Sequence, residues 1–233
     1  MIKVIDYNNL GGADHGWLKA KHHFSFASYQ DPNRVRFGPM RVINDDIVAP
    51  KKGFDPHAHD NMEIITYVRK GAITHKDDIG NEGRTEAGDV QVMSAGTGVV
   101  HSEYNLEDED TNLYQIWMFP NKKNVKPRWD AKKFPKEPVE GKLKPFVTGF
   151  ENDDSDSLKI YQDTVIYAGR VNKGKSVNQL IERDQAYVLC SQGKIKINDT
   201  EIKKGDGAEI TDLKNVNITS LEDSEILFID LPR

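Results

Sequence analysis

Along the chain, apolar residues fall in short runs rich in Val, Ile, Tyr, Phe and Trp, which Gly, Asp and Asn interrupt before a helical period can build up. The pattern predicts an all-β protein. Strands are expected from Glu63 to Arg69, Val90 to Met93, Leu113 to Phe119, Thr164 to Val171, Ala186 to Leu189, Lys194 to Ile197, Asn215 to Ser220 and Glu225 to Leu231. Turns are expected at Asp78, Gly80, Asn81 and Gly83, and at Asn198 and Asp199. One order of features occurs twice. Tyr67-Val68, Gly71, Ala87-Gly88-Asp89 and a strand ending at Phe119-Pro120 are echoed by Tyr187-Val188, Gly193, Lys204-Gly205-Asp206 and a strand ending at Leu231-Pro232. The repeat predicts two similar β-domains, residues 1–120 and 158–233. Between them, residues 121–157 show no β-alternation. They hold Pro127, Pro135, Pro138 and Pro145 among many lysines, and read as a solvated linker rather than an anion-docking surface.

Composition narrows the function. With 233 residues, 37% of them hydrophobic, the chain can bury a sizeable core. No apolar run approaches the roughly 18 residues of a membrane span, and Met1 to Leu10 lacks the basic start and apolar centre of an export signal. A soluble, cytoplasmic protein without a membrane partner is expected. Cys190 is the only cysteine, so no intrachain disulfide or cysteine-based metal cluster can form. Cys190 itself reads as a buried thiol. A formal charge of -5 offers no general field for a phosphate backbone, so nucleic acid is not the expected partner. The acidity is uneven: residues 1–120 carry 12 Lys+Arg against 18 Asp+Glu, and residues 121–233 carry 20 against 19. All seven histidines lie at or before His101. The second domain therefore has no histidine chemistry and is expected to be structural.

The candidate chemistry sits in His57-Ala58-His59 and His101-Ser102-Glu103. On a strand, residues i and i+2 share a face, so each pair can grip one ion. A lone H-x-H is commonly two surface histidines. Two pairs at the same spacing, each preceded by glycines (Gly53; Gly96 and Gly98), would offer three imidazoles and a carboxylate, a set suited to a divalent first-row metal with positions left open. Glu63 also lies an even number of residues from His59, and parity leaves it open as a ligand or as a group orienting a histidine. His75, with Asp77 and Asp78 beside it, reads as a surface residue. His15, His22 and His23 read as surface or packing residues, and Met40, Met62, Met93, Met118, Phe24, Phe26, Trp117 and Phe119 as core before ligand contacts.

These residues resemble the two cupin motifs. His57, His59, Glu63 and Gly71 follow the first, with one extra residue before the glycine. Gly88, Ser94-Ala95-Gly96, His101 and Asn105 follow the second, with Ser94 in place of the usual proline and a longer gap before His101. The departures are those of the bacterial pirin-like proteins. The chain is similar to them over Phe37 to Asp46, Met62 to Val68, Gly88 to Gln91, Met93 to Gly98, His101 to Glu103 and Gln115 to Trp117, weakening after Pro120. Asp60 departs from them, standing where relatives often carry a basic residue. The resemblance implies a bicupin with two β-barrel domains, the second degenerate. It implies one divalent ion on His57, His59, His101 and Glu103, with Fe(II) first and Mn(II), Co(II), Ni(II), Cu(II) or Zn(II) as alternatives. It favours Glu103 over Glu63 as the ligand.

The activity implied is that of the quercetin 2,3-dioxygenases, which open the central ring of a flavonol with O2 and release carbon monoxide, with Glu103 as the catalytic base. Flavonol and O2 are then the partners and a monomer is expected, its oligomeric state left open. Two alternatives stand beside this reading: a non-enzymatic, metal-dependent interaction or regulatory protein, and a cupin dioxygenase acting on another enolisable or phenolic metabolite.

Overall fold

The structure is a computed structural model that describes residues 1–151 and 156–233; residues 152–155, within the expected linker, lie outside the described residues. The described residues form strands and one short 3-10 turn at Tyr7–Asn9, and no α-helix. All eight expected strands are present, because runs such as Glu63–Lys70 are buried on both faces and their β-branched residues stand out in the sequence. Among the described residues, no helix is long and apolar enough to cross a membrane.

The chain divides into two compact units. The first comprises Gly11–Pro135 with Leu158–Gln162, and the second Met1–Leu10, Lys136–Ser157 and Asp163–Arg233. The strands, in chain order, are β1 (Ile2–Ile5), β2 (Gly11–Asp14), β3 (Leu18–His22), β4 (Met40–Val48), β5 (Gly53–His59), β6 (Glu63–Lys70), β7 (Ala72–Asp77), β8 (Glu82–Glu86), β9 (Val90–Ser94), β10 (Val99–Tyr104), β11 (Thr111–Met118), β12 (Arg128–Lys132), β13 (Lys144–Gly149), β14 (Leu158–Ile160), β15 (Val165–Val171), β16 (Ser176–Leu180), β17 (Gln185–Gln192), β18 (Lys194–Ile197), β19 (Thr200–Lys203), β20 (Gly207–Thr211), β21 (Asn215–Ser220) and β22 (Ser224–Leu231).

In the first unit a large sheet, ordered β12-β9-β6-β11-β4-β3-β2, accompanies a four-stranded sheet ordered β5-β10-β7-β8. In the second, β1-β20-β17-β22-β15-β13 accompanies β16-β21-β18-β19. The orders correspond strand for strand from β12 and β1 onward. The repeat read from the Gly-Asp turns is thus a repeat of whole barrels, and the fold is a bicupin. Gly83, expected in a turn, lies instead within β8, where a side chain would strike the Trp129 ring 2.2 Å away.

The domain boundaries drawn from the sequence do not coincide with these units. Met1–Leu10 belongs with the second unit, where β1 pairs with β20 and the Tyr7 N–H donates to Asp206 at 2.9 Å. The expected linker is not a plain solvated connector. Its residues Arg128–Lys132 form β12 on β9, and Lys144–Gly149 form β13 on β15. Proline density and charge hid these short strands, of which β12 lies at a sheet edge, where lysines are tolerated.

Barrel equivalence also shows what stands in place of the histidines. Followed from the shared Gly71 and Gly193 turns, the registers set Gln179, Ile181 and Val216 in the places of His57, His59 and His101, and Ile218 in that of Glu103. Ile181, Val216 and Ile218 join Val188, Ile195 and Phe228 in a buried core. Each such side chain contributes about 1.5–3 kcal/mol, so the second barrel spends its interior on packing. Cys190 lies in this core, and burial pushes its thiol up to about 12. It is inert at neutral pH.

Deleting residues 1–10 should strip β1 from β20 and destabilise the second unit by on the order of 3 kcal/mol through lost ladder bonds. Hydrogen exchange would then accelerate across Gly207–Thr211 while Val90–Ser94, the equivalent strand of the first unit, keeps its protection. Equal acceleration in both would contradict the assignment of β1.

Candidate metal centre

The site is built on the pairing of β5 with β10, in which His57 lies opposite His101 and His59 opposite Val99. His57 and His59 share a face by alternation, and the register brings His101 to them. Their ring centroids lie 4.5 Å (His57 to His101), 4.8 Å (His57 to His59) and 5.0 Å (His59 to His101) apart. One nitrogen from each falls within 4.8 Å of the others. Beyond His101 the register slips, so Glu103 faces Phe54 and the extra residues of β5 include Pro56, which has no N–H to offer the ladder.

The donor set fits a divalent ion. His57 Nδ1 donates to the Asp55 carbonyl at 2.7 Å, which leaves Nε2 as its lone-pair nitrogen. The Nε2 atoms of His59 and His101 are buried with no hydrogen-bond partner. Burial, then the neighbouring His57, lowers His59 to about 4 and His101 to about 3, so both are neutral at physiological pH. Buried nitrogens left unsatisfied are costly, and three imidazoles clustered this closely are what a first-row ion takes.

His75 is not the surface residue expected from its acidic neighbours. It is fully buried, stacked on Trp129 with centroids 5.0 Å apart and planes 8° from parallel. Its Nε2 lies 3.0 Å from Asp77 Oδ2, and its Nδ1 lies 3.3 Å from His101 Nδ1. Burial lowers its pKa, so His75 is neutral. With Nε2 donating to the carboxylate, its Nδ1 can only accept, which makes His101 Nδ1 the donor and leaves His101 Nε2 bare toward the site. His75 and Asp77 were missed although their i, i+2 spacing repeats that of the two pairs. Trp129 was missed because it lies in the apparent linker.

Glu103 is 2% exposed and lies near His75 and His101, the three offering atoms within 4.8 Å. It is not grouped with His57 and His59. Its Oε1 accepts from Gln91 Nε2 at 2.6 Å and Thr66 Oγ1 at 3.3 Å, and its Oε2 from Gln115 Nε2 at 3.0 Å. Gln91, Thr66 and Gln115 sit directly across from one another on β9, β6 and β11, so one row of the large sheet cradles the carboxylate. Burial pushes Glu103 up to about 7.

Glu63 does not orient a histidine. Three residues from Thr66, it faces the other side of β6, where its Oε2 accepts from Ser94 Oγ at 2.7 Å and the Tyr161 N–H at 3.1 Å. The parity count from His59 fails because β5 and β6 belong to different sheets. Burial pushes Glu63 up to about 7.

Beside the histidines a cavity of about 680 Å³ opens, lined by His57, Gln115, Trp117, Phe26, Phe54 and Trp17, with His15 and His22 also on its wall. Phe26 and Trp117, expected as core, thus line the cavity while packing edge-on against each other. His22 is buried and bonded through Nδ1 to Asn44 Oδ1 at 2.8 Å. The volume suits a drug-sized planar molecule.

Two barrels with a histidine cluster in the first alone define a bicupin of single-site type. Comparison with known proteins specifies it further. Residues 4–118 match the pirin family model and residues 150–231 that of the quercetinase C-terminal cupin domain. The chain belongs to the pirin family. It is 49% identical to a pirin-like protein of Caulobacter vibrioides, over 99% of both chains. It is 40% identical to a quercetin 2,3-dioxygenase of Escherichia coli, over 100% of this chain and 99% of that one. The structure resembles crystal structures of YhhW from Escherichia coli, with TM-score 0.93, 38% identity and coverage of 100% and 98%. It also resembles that bacterial pirin in complex with nickel(II), with TM-score 0.92, 37% identity and coverage of 100% and 99%.

The Glu63 environment has a measurable pH signature. Between its usual value of 4.5 and about 7, the folded chain holds a proton that the unfolded chain has released, so this residue lowers stability as pH rises through that window. Glu63→Gln should gain on the parent across the window, by at most about 3 kcal/mol at pH 8 relative to pH 4.5. Denaturant unfolding of both proteins at the two pH values checks this. A gain that does not change with pH would contradict it.

Proposed function

We propose that the protein is a metal-dependent dioxygenase that opens the central ring of a flavonol such as quercetin with O2 and releases carbon monoxide. The carrying observation is the clustering of three imidazoles, two with buried Nε2 atoms that no described group partners, with His57 on the wall of an aromatic-lined cavity. The relatives named quercetin 2,3-dioxygenase support the same reading.

In this reading His57, His59, His101 and Glu103 would hold the ion, with Fe(II) the first candidate and nickel(II) supported by the Escherichia coli complex. Bound there, a divalent ion supplies positive charge that favours the ionised form of a substrate hydroxyl. The remaining work falls to the chain. The cavity orients a flat ring system and keeps bulk water from the reacting carbon atoms. Asp77 and His75 fix the His101 tautomer. Glu103 takes the proton of the flavonol 3-hydroxyl at Oε2, which accepts one bond from Gln115 and keeps lone-pair capacity. Gln91 and Thr66 on Oε1 hold the group in place while it does so.

The test is anaerobic loading with Fe(II), Mn(II), Co(II) or Ni(II), followed by O2 uptake and CO release with quercetin. His101→Ala should lose metal and turnover together. Glu103→Gln should keep metal within about tenfold yet cost roughly 10²–10⁴ in kcat, because an amide cannot take the proton. If no metal form consumes O2 with any flavonol, the enzyme reading gives way to a metal-dependent binding protein.

A further inference from the structure

One wall of the cavity is unused by the chemistry above. Asn44 and Asp46 alternate on β4, and both line the cavity. Asn44 is satisfied by His22. Asp46 is 2% exposed, and its Oδ1 is buried with no hydrogen-bond partner among the described residues. Its register neighbours are Ala20 on β3 and Leu113 on β11, so the sheet surrounds it with apolar side chains on that face. The adjacent Asp45 has the opposite fate: it meets the Arg69 guanidinium, which lies 4.2 Å over the Tyr114 ring. The sequence Asp45-Asp46 therefore places one acid on a cation and the other, by alternation alone, against the cavity with nothing to bond. A buried carboxyl left without a partner weakens the fold. Nothing in the barrel's packing requires an acid there, and a hydrophobic residue would suit Ala20 and Leu113 better.

We propose that Asp46 is a specificity residue that bonds a hydroxyl group of the bound ligand, one remote from the atoms that react. The ligand class is a planar, polyhydroxylated aromatic, its rings against Trp17, Phe54, Phe26 and Trp117 and one phenolic hydroxyl on the Asp46 carboxyl. The identification of the ring system as a flavonol rests on the function proposed above; the need for a hydroxyl does not. Burial, then the nearby Asp45 and Glu103, raises the Asp46 carboxyl well above the usual range, and in either protonation state a carboxyl oxygen can accept a hydrogen bond from a phenolic hydroxyl.

The experiment uses the full chain treated with a chelator, so that binding is read without turnover, through quenching of tryptophan emission from Trp17 and Trp117 in the cavity wall. The probes are quercetin and 3-hydroxyflavone, which share the ring system and the 3-hydroxyl but differ in the other hydroxyls. The parent should bind quercetin at least about tenfold more tightly, the scale of one buried hydrogen bond to an acid. Asp46→Ala should bring the two affinities within about threefold while leaving 3-hydroxyflavone bound as before. An unchanged preference in Asp46→Ala overturns the proposal. Should that variant fail to fold, the parent alone decides: equal affinity for the two probes overturns it, and loss of preference on removal of a single phenolic hydroxyl supports it. Oxygen uptake by the metal-loaded parent separates the two ideas. Hydroxyl-dependent binding without O2 consumption removes the dioxygenase reading and leaves Asp46 in its role, whereas turnover with an unchanged preference in the variant does the reverse.

Discussion

The antiparallel register of β5 against β10 is the constraint on which the metal centre depends. A strand has a side-chain period of two, so a slip by one residue would send His57 and His59 to the opposite face and leave His101 without them. The register holds the three rings within 5.0 Å of one another at the cost of buried imidazole nitrogens that no protein group satisfies. The remainder of the first barrel manages that cost. Asp77 and His75 set the proton on His101 Nδ1, and the row of Gln91, Thr66 and Gln115 positions Glu103.

The second barrel shows what the same topology does without this constraint. Its strands follow the order of the first, yet the positions at the corresponding register are Gln179, Ile181 and Val216. Apolar side chains at two of these three positions close the interior by packing. The first barrel gives up that packing to keep polar groups and an aromatic-walled cavity in its interior, which is the common exchange of stability for function. Both barrels seal the edge beside a Gly-Asp turn strand with a segment from elsewhere in the chain: β12 beside β9 and β1 beside β20. An open edge strand would invite pairing with other chains.

Much of the fold was legible because the central strands are buried on both faces and so carry dense β-branched runs. Glu63–Lys70 and Ser224–Leu231 show this most plainly. The two i, i+2 pairs were legible for a local reason, since alternation is a property of a single strand. His75 with Asp77 carried the same local signal. It was outweighed by the acidic neighbours, because burial of a polar pair depends on which strands and which tryptophan cover it. Trp129, the cover in question, comes from more than fifty residues away, in a stretch whose prolines and lysines resemble a solvated connector.

The sequence by itself determined the all-β class, the duplication, the confinement of histidine chemistry to one barrel and the two pairs that each share a strand face. All of these are set by spacing of a few residues or by composition. Tertiary structure decided what depends on the pairing of strands distant in sequence. It took Glu63 away from the histidines, because β5 and β6 lie in different sheets and parity does not carry between them. It also gave Asp45 a cation and Asp46 a cavity, since two adjacent acids on one strand must face opposite sides and only the neighbouring strands determine what each side contains.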